Sequence, residues 1–132
     1  MIARSLRILF IDDSSTIRDM VESALLELGF LNIQSAVDGI DALRVCDEAE
    51  EEFEFIITDI NMPNMDGIEL IHNLRNRMDY ISIPIMVLST EWSNEMKQKG
   101  KDAGATSWIV KPFDKELLNR AIEETVNKVE NS

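Results

Sequence analysis

The sequence predicts a single α/β domain built on a doubly wound, five-stranded parallel sheet. Three observations carry that expectation. Apolar runs of strand length recur five times, each followed by a segment of helical periodicity, and such β-α alternation implies a parallel sheet with right-handed crossovers. Three of the runs are almost continuously apolar, as strands covered on both faces should be, and these are expected at the sheet's centre. The polar residues that break the pattern gather just past the ends of the runs, where open parallel sheets bind their ligands.

The first strand is expected at 6–11 and is closed by Asp12 and Asp13. The helix at 15–28 carries Ile17, Met20, Val21, Ala24, Leu25 and Leu28 on one stripe, and Gly29 supplies its stop. Asp13 and Ser14 are both candidates for its N-cap. A weaker strand at 31–35 and a helix at 39–50 follow. The third strand, 55–58, ends at Asp59, and the turn formers of NMPNMDG lead into a helix at 67–76. The fourth strand, 83–88, ends at Ser89 and precedes a helix at 93–103. The fifth, 106–110, ends at Lys111; the last helix, 114–129, sets Leu118, Ala121, Ile122, Thr125 and Val129 on one stripe.

At 132 residues and 45% hydrophobic, the chain suffices for one domain spanning 1–132 with one continuous core. A net charge of -12 repels nucleic-acid backbones, so no nucleic-acid partner is expected. Cys46 is the only cysteine and can form neither a disulfide framework nor a zinc site alone; a reducing cytoplasm is the expected compartment. The N-terminus lacks the features of a secretory signal, and no apolar segment approaches the ~20 residues of a membrane-spanning helix. A soluble protein without membrane insertion is expected. The acidic run 47–54 reads as a solvated helix end and loop.

Asp12, Asp13, Asp59, Ser89 and Lys111 fall on one edge of this sheet. Each has a mundane account alone, as a cap, a turn residue or a surface lysine. Together they suggest chemistry. Three carboxylates converging within ~5 Å repel by ~3 kcal/mol per pair at an effective dielectric near 20, so a cation is required. Mg²⁺ suits such a site because it is hard, prefers oxygen and retains several waters. Lys111 adds a second positive charge, and Ser89 can hydrogen-bond an oxygen of a bound phosphoryl group. Phosphoryl transfer rests on positioning and charge neutralisation, and an ionised carboxylate attacks without a general base. This agrees with the absence of histidine from the set: the only one, His72, lies mid-helix and is not expected to be catalytic.

The pair Asp12-Asp13, the acceptor Asp59 in DINMPNMDG, the hydroxyl of Ser89 and the lysine of KPF (Lys111, Pro112, Phe113) resemble the receiver domains of two-component response regulators over essentially the whole chain. The stretch NMPNMDGIEL and the single-domain length are most similar to the chemotaxis members of that family. The resemblance implies a flavodoxin-like fold with strand order 2-1-3-4-5. It implies that Asp59 accepts a phosphoryl group from a histidine kinase, and that Asp13, Asp59 and the Asn61 carbonyl hold Mg²⁺ with Asp12 in support. It implies no enzyme acting on external substrates, only a chain that catalyses its own phosphorylation and dephosphorylation. The Lys111-Pro112 bond is expected to be cis.

In the family's switch a hydroxyl residue after the fourth strand couples to an aromatic on the fifth, here Ser89 and Trp108. Both depart from the commonest threonine and tyrosine while keeping the chemical type. Serine lacks the methyl that stiffens χ1, so a looser coupling is expected. Phosphorylation should draw the Ser89 hydroxyl inward and let Trp108 enter the vacated space. Lys97, Lys99 and Lys101 cluster in the fourth helix, on the helix 4, strand 5, helix 5 face that receivers commonly use for output. A monomer is expected whose output partner is a flagellar-switch-like or histidine phosphotransfer protein.

The first reading is a stand-alone regulator in chemotaxis or motility signalling; the alternative is a phosphorelay intermediate that passes its phosphoryl group to a histidine phosphotransfer protein. A haloacid-dehalogenase-type phosphatase also uses an aspartyl phosphate and Mg²⁺, but its D-x-D motif is missing from IDDSS. A flavin- or dinucleotide-binding protein is disfavoured because no G-x-G-x-x-G follows the first strand.

Overall fold

The computed structural model describes residues 2–131. Five β-α units follow one another: β1 (Ile8–Ile11), α1 (Ser15–Glu27), β2 (Ile33–Ala36), α2 (Gly39–Glu48), β3 (Phe55–Thr58), α3 (Gly67–Arg75), β4 (Ile85–Ser89), α4 (Asn94–Ala103), β5 (Ser107–Val110) and α5 (Lys115–Glu130). All pairings are parallel, and the strand order is β2-β1-β3-β4-β5. The expected order and the three central strands are therefore observed.

Alternation along the central strands feeds two separate cores. Leu9, Ile11, Ile56, Ile85 and Val87 pack beneath α2, α3 and α4, with Ala42, Val45, Leu70, Ile71 and Leu74 as the principal helix contributions. On the other face Ile8, Phe10, Phe55, Ile57, Met86 and Leu88 meet Val21, Ala24 and Leu25 of α1 and Leu118, Ala121 and Ile122 of α5. Both faces being covered explains the near-continuous apolar runs.

Element ends differ from expectation by a few residues, with local causes. β4 starts after Pro84, whose missing N–H cannot join the ladder, and extends to Ser89. Ser14, Asp38, Asp66, Ser93 and Asp114 serve as N-caps, each side chain accepting from an amide three residues on. Ser14, not Asp13, thus caps α1. Gly29 has a positive φ of 95°, with its amide bonded to Leu26 and that of Phe30 to Leu25, a Schellman end that only a residue tolerant of left-handed backbone closes cheaply. The Lys111-Pro112 bond is cis. Among the described residues no helix is long and apolar enough to cross a membrane.

Candidate phosphoryl-acceptor site

Strand pairing sets the site's dimensions. Ile11 and Thr58 are partners in register, so the next residues on the two chains, Asp12 and Asp59, leave the sheet side by side. The ladder continues one bond beyond the strands: the Asp12 amide donates to Ala36, that of Asp59 to Ile11 and that of Lys111 to Ser89. Each backbone is pinned where its side chain is needed.

Asp12 and Asp59 are buried, at 5% and 9% exposure, whereas Asp13 faces solvent. Oxygens of the three carboxylates lie within 4.8 Å of one another. Lys111 bridges the two buried ones, its Nζ 2.7 Å from Asp12 Oδ2 and 3.3 Å from Asp59 Oδ2. The second oxygen of each is held by backbone: Asp12 Oδ1 accepts from the Ser14 amide at 2.9 Å, and Asp59 Oδ1 from the Ile60 amide at 2.7 Å. One ammonium against three carboxylates leaves an excess of negative charge.

Burial is the largest influence on the Asp59 carboxyl and pushes it above the ordinary aspartate range; Asp12 adds to this, while the Ile60 amide, Lys111 and the Ser89 hydroxyl hold it back. The donor set is all oxygen and net anionic, which fits a hard divalent cation and offers nothing to a soft one. Asn61, exposed in the β3–α3 loop, lies two residues beyond Asp59.

Ser89 is fully buried at the end of β4, and its hydroxyl oxygen accepts from the Glu91 amide at 3.2 Å. Glu91 links the site to two further residues. Its carboxylate accepts from Asn61 Nδ2 at 3.1 Å, and its carbonyl from the Trp108 indole at 2.8 Å. The aromatic expected to move inward is therefore already half-buried and engaged with the β4–α4 loop.

The sequence-expected residues Asp12, Asp13, Asp59, Ser89 and Lys111 thus come together at one sheet edge. His72 does not: it is exposed on α3. Sequence reasoning missed Gly67, where a Cβ would overlap the Asp59 carbonyl oxygen, so α3 begins directly against the acceptor's backbone. It missed Gly100, where a Cβ would lie 2.7 Å from Trp108 Cζ3. It also missed Arg18, whose guanidinium donates to the Asp12 carbonyl at 2.7 Å. The Asp-Gly pair before α3 was the available signal for Gly67, but it reads equally as a simple helix start.

Known proteins resemble this chain in sequence and fold. The family model described as the response regulator receiver domain matches residues 8–123. Chemotaxis protein CheY-3 of Vibrio cholerae is 34% identical over 96% of this chain and 95% of its own. Chemotaxis protein CheY of Pseudomonas aeruginosa is 33% identical over 94% of this chain and 98% of its own. The solved structure of chemotaxis response regulator CheY4 of Vibrio cholerae superposes with a TM-score of 0.84 at 41% identity, covering 91% of this chain and 98% of that one.

Proposed function

This chain belongs to the response regulator receiver domain family, and from that premise we propose that it is a chemotaxis-type signalling protein switched by phosphorylation of Asp59. The observation that carries the reading is the convergence of Asp12, Asp13, Ser89 and Lys111 around Asp59, the carboxylate at the C-terminal end of β3, the middle strand of the sheet.

A histidine kinase supplies the phosphoryl group. An Asp59 carboxylate oxygen forms the new O–P bond as the N–P bond to the donor imidazole breaks, and the nitrogen leaves with the electron pair. The carboxylate oxygen is itself the nucleophile, so no general base is required. Lys111 holds an ammonium beside the carboxylate, where it can pair with a phosphoryl oxygen, and the Ser89 hydroxyl is placed to donate to another. Asp12, Asp13 and Asp59, with the Asn61 carbonyl, would hold Mg²⁺, which supplies charge neutralisation for the transferring group.

Output passes from Ser89 through Glu91 to Trp108, and so to the α4–β5–α5 face. Phosphorylation gives the Ser89 hydroxyl a phosphoryl oxygen to donate to and changes what Glu91 and Trp108 can hold. A protein partner must bind one state better than the other for this to signal.

Labelling with a small phosphodonor and Mg²⁺ tests the assignment. The parent protein should give a hydroxylamine-sensitive label that Asp59→Asn abolishes, and Ser89→Ala should keep part of it while weakening the change in partner affinity. Full labelling of Asp59→Asn would overturn the assignment.

A further inference from the structure

The β3–α3 loop contains an unusual backbone. Asn64 has a φ of 68°, the one positive value outside glycine among the described residues. Asparagine tolerates left-handed backbone better than most side chains, though less cheaply than glycine, and it brings an amide that glycine lacks. That amide is engaged: Asn64 Nδ2 donates to Asp38 Oδ2 at 2.8 Å. Asp38, only 8% exposed, uses its other oxygen as the N-cap of α2, where Oδ1 accepts from the Asp41 amide at 2.8 Å. The adjoining residues pack closely too, since a Cβ on Gly39 would lie 2.7 Å from Met65 Cγ. The loop is thus tied to the start of α2. At its base the Gly67 amide donates to the Ile60 carbonyl at 2.9 Å, and on the opposite flank Asn61 Nδ2 donates to Glu91 at 3.1 Å.

We propose that the Asp38–Asn64 pair is a positioning clamp for the metal site: it restrains the β3–α3 loop so that the Asn61 carbonyl is held ready for the divalent cation that Asp12, Asp13 and Asp59 attract. A carboxylate can turn about its side-chain bonds to meet a cation. A backbone carbonyl points where its peptide plane points, so it is aimed only by restraining the chain on either side. Mg²⁺ makes that restraint count, because it demands near-ideal octahedral geometry. Asp38 and Asn64 do not themselves belong to the carboxylate cluster; they act through the loop. The inference rests on the receiver reading, which makes the Asn61 carbonyl a ligand.

Mn²⁺, a hard divalent ion with the same preference for oxygen, is the probe, its free concentration followed by electron paramagnetic resonance. Asn64→Gly keeps the left-handed backbone and removes the amide; Asp38→Ser keeps a cap for α2 and removes the acceptor. Asn64→Gly should weaken Mn²⁺ binding about fivefold in the parent, the worth of one net hydrogen bond, and leave it unchanged in an Asp38→Ser background. The negative charge lost in Asp38→Ser is common to both arms of that background and cancels from the cycle. In phosphodonor labelling, Asn64→Gly should raise the Mg²⁺ concentration for half-maximal rate by the same factor and reach the parent rate at saturation, a split that a merely structural role would not produce. Unchanged Mn²⁺ affinity in Asn64→Gly would overturn the proposal. So would equal weakening in the Asp38→Ser background, which assigns the effect to the freer glycine backbone. The parent's own behaviour separates the two readings. A parent that takes label and binds Mn²⁺, with Asn64→Gly identical to it, refutes the clamp alone; a parent that does neither refutes the receiver reading and the clamp with it.

Discussion

A methyl group on Gly67 would overlap the carbonyl oxygen of Asp59 and come within 3.0 Å of the Ile60 Cα. Gly67→Ala should therefore destabilise the fold by about 2 kcal/mol and slow phosphodonor labelling, since neither backbone segment can retreat without moving the acceptor. Denaturant unfolding and labelling kinetics check both. At Asp59 itself, burial raises the carboxyl's affinity for its proton in the folded state. The folded chain then binds more protons than the unfolded one from the ordinary aspartate value upward, and stability present at lower pH is lost as pH rises through that window. With metal chelated at neutral pH, Asp59→Asn should be more stable than the parent by about 1 kcal/mol, and the difference should close as the pH is lowered. A parent that melts as high as the variant across this range would contradict the account. The carboxylates, Ser89 and Lys111 were legible in the sequence because strand ends can be read from apolar runs. Gly67 was not, because close approach between backbones depends on how α3 returns to β3.

Gly100 is the buried residue of α4, and the Trp108 ring fills the space that a side chain there would occupy. Gly100→Ala should gain about 1 kcal/mol of helix propensity and lose a similar amount by pushing the indole outward. Net stability should change little, while Trp108 emission, isolated by replacing the chain's other tryptophan, the exposed Trp92 (Trp92→Phe), shifts to the red. An unshifted spectrum would mean that α4 moves instead of the indole. The five β-α units were legible from periodicity alone, down to Gly29 as the stop of α1. The lysine grouping was legible only in part. Residues two apart on a helix point to nearly opposite sides, so Lys99 leaves Lys97 and Lys101 and pairs with Glu95. Lys128, which lines a depression with Lys97 and Lys101, lies 27 residues beyond Lys101 and joins the group only through the packing of α5.

The whole molecule carries a net charge of -12 and concentrates part of that excess in three carboxylates within 4.8 Å. Mg²⁺ at about tenfold excess over its dissociation constant should stabilise the fold by ~1.4 kcal/mol, seen as a higher melting temperature, and Asp13→Ala should remove the gain. Indifference of the parent to Mg²⁺ would count against the metal site. Lys111, which bridges Asp12 and Asp59, follows Asp12 by 99 residues. During synthesis the two acidic partners therefore leave the ribosome long before the ammonium that balances them. A nascent chain must carry this imbalance until β5 has been made, because the pocket is chemically incomplete without Lys111.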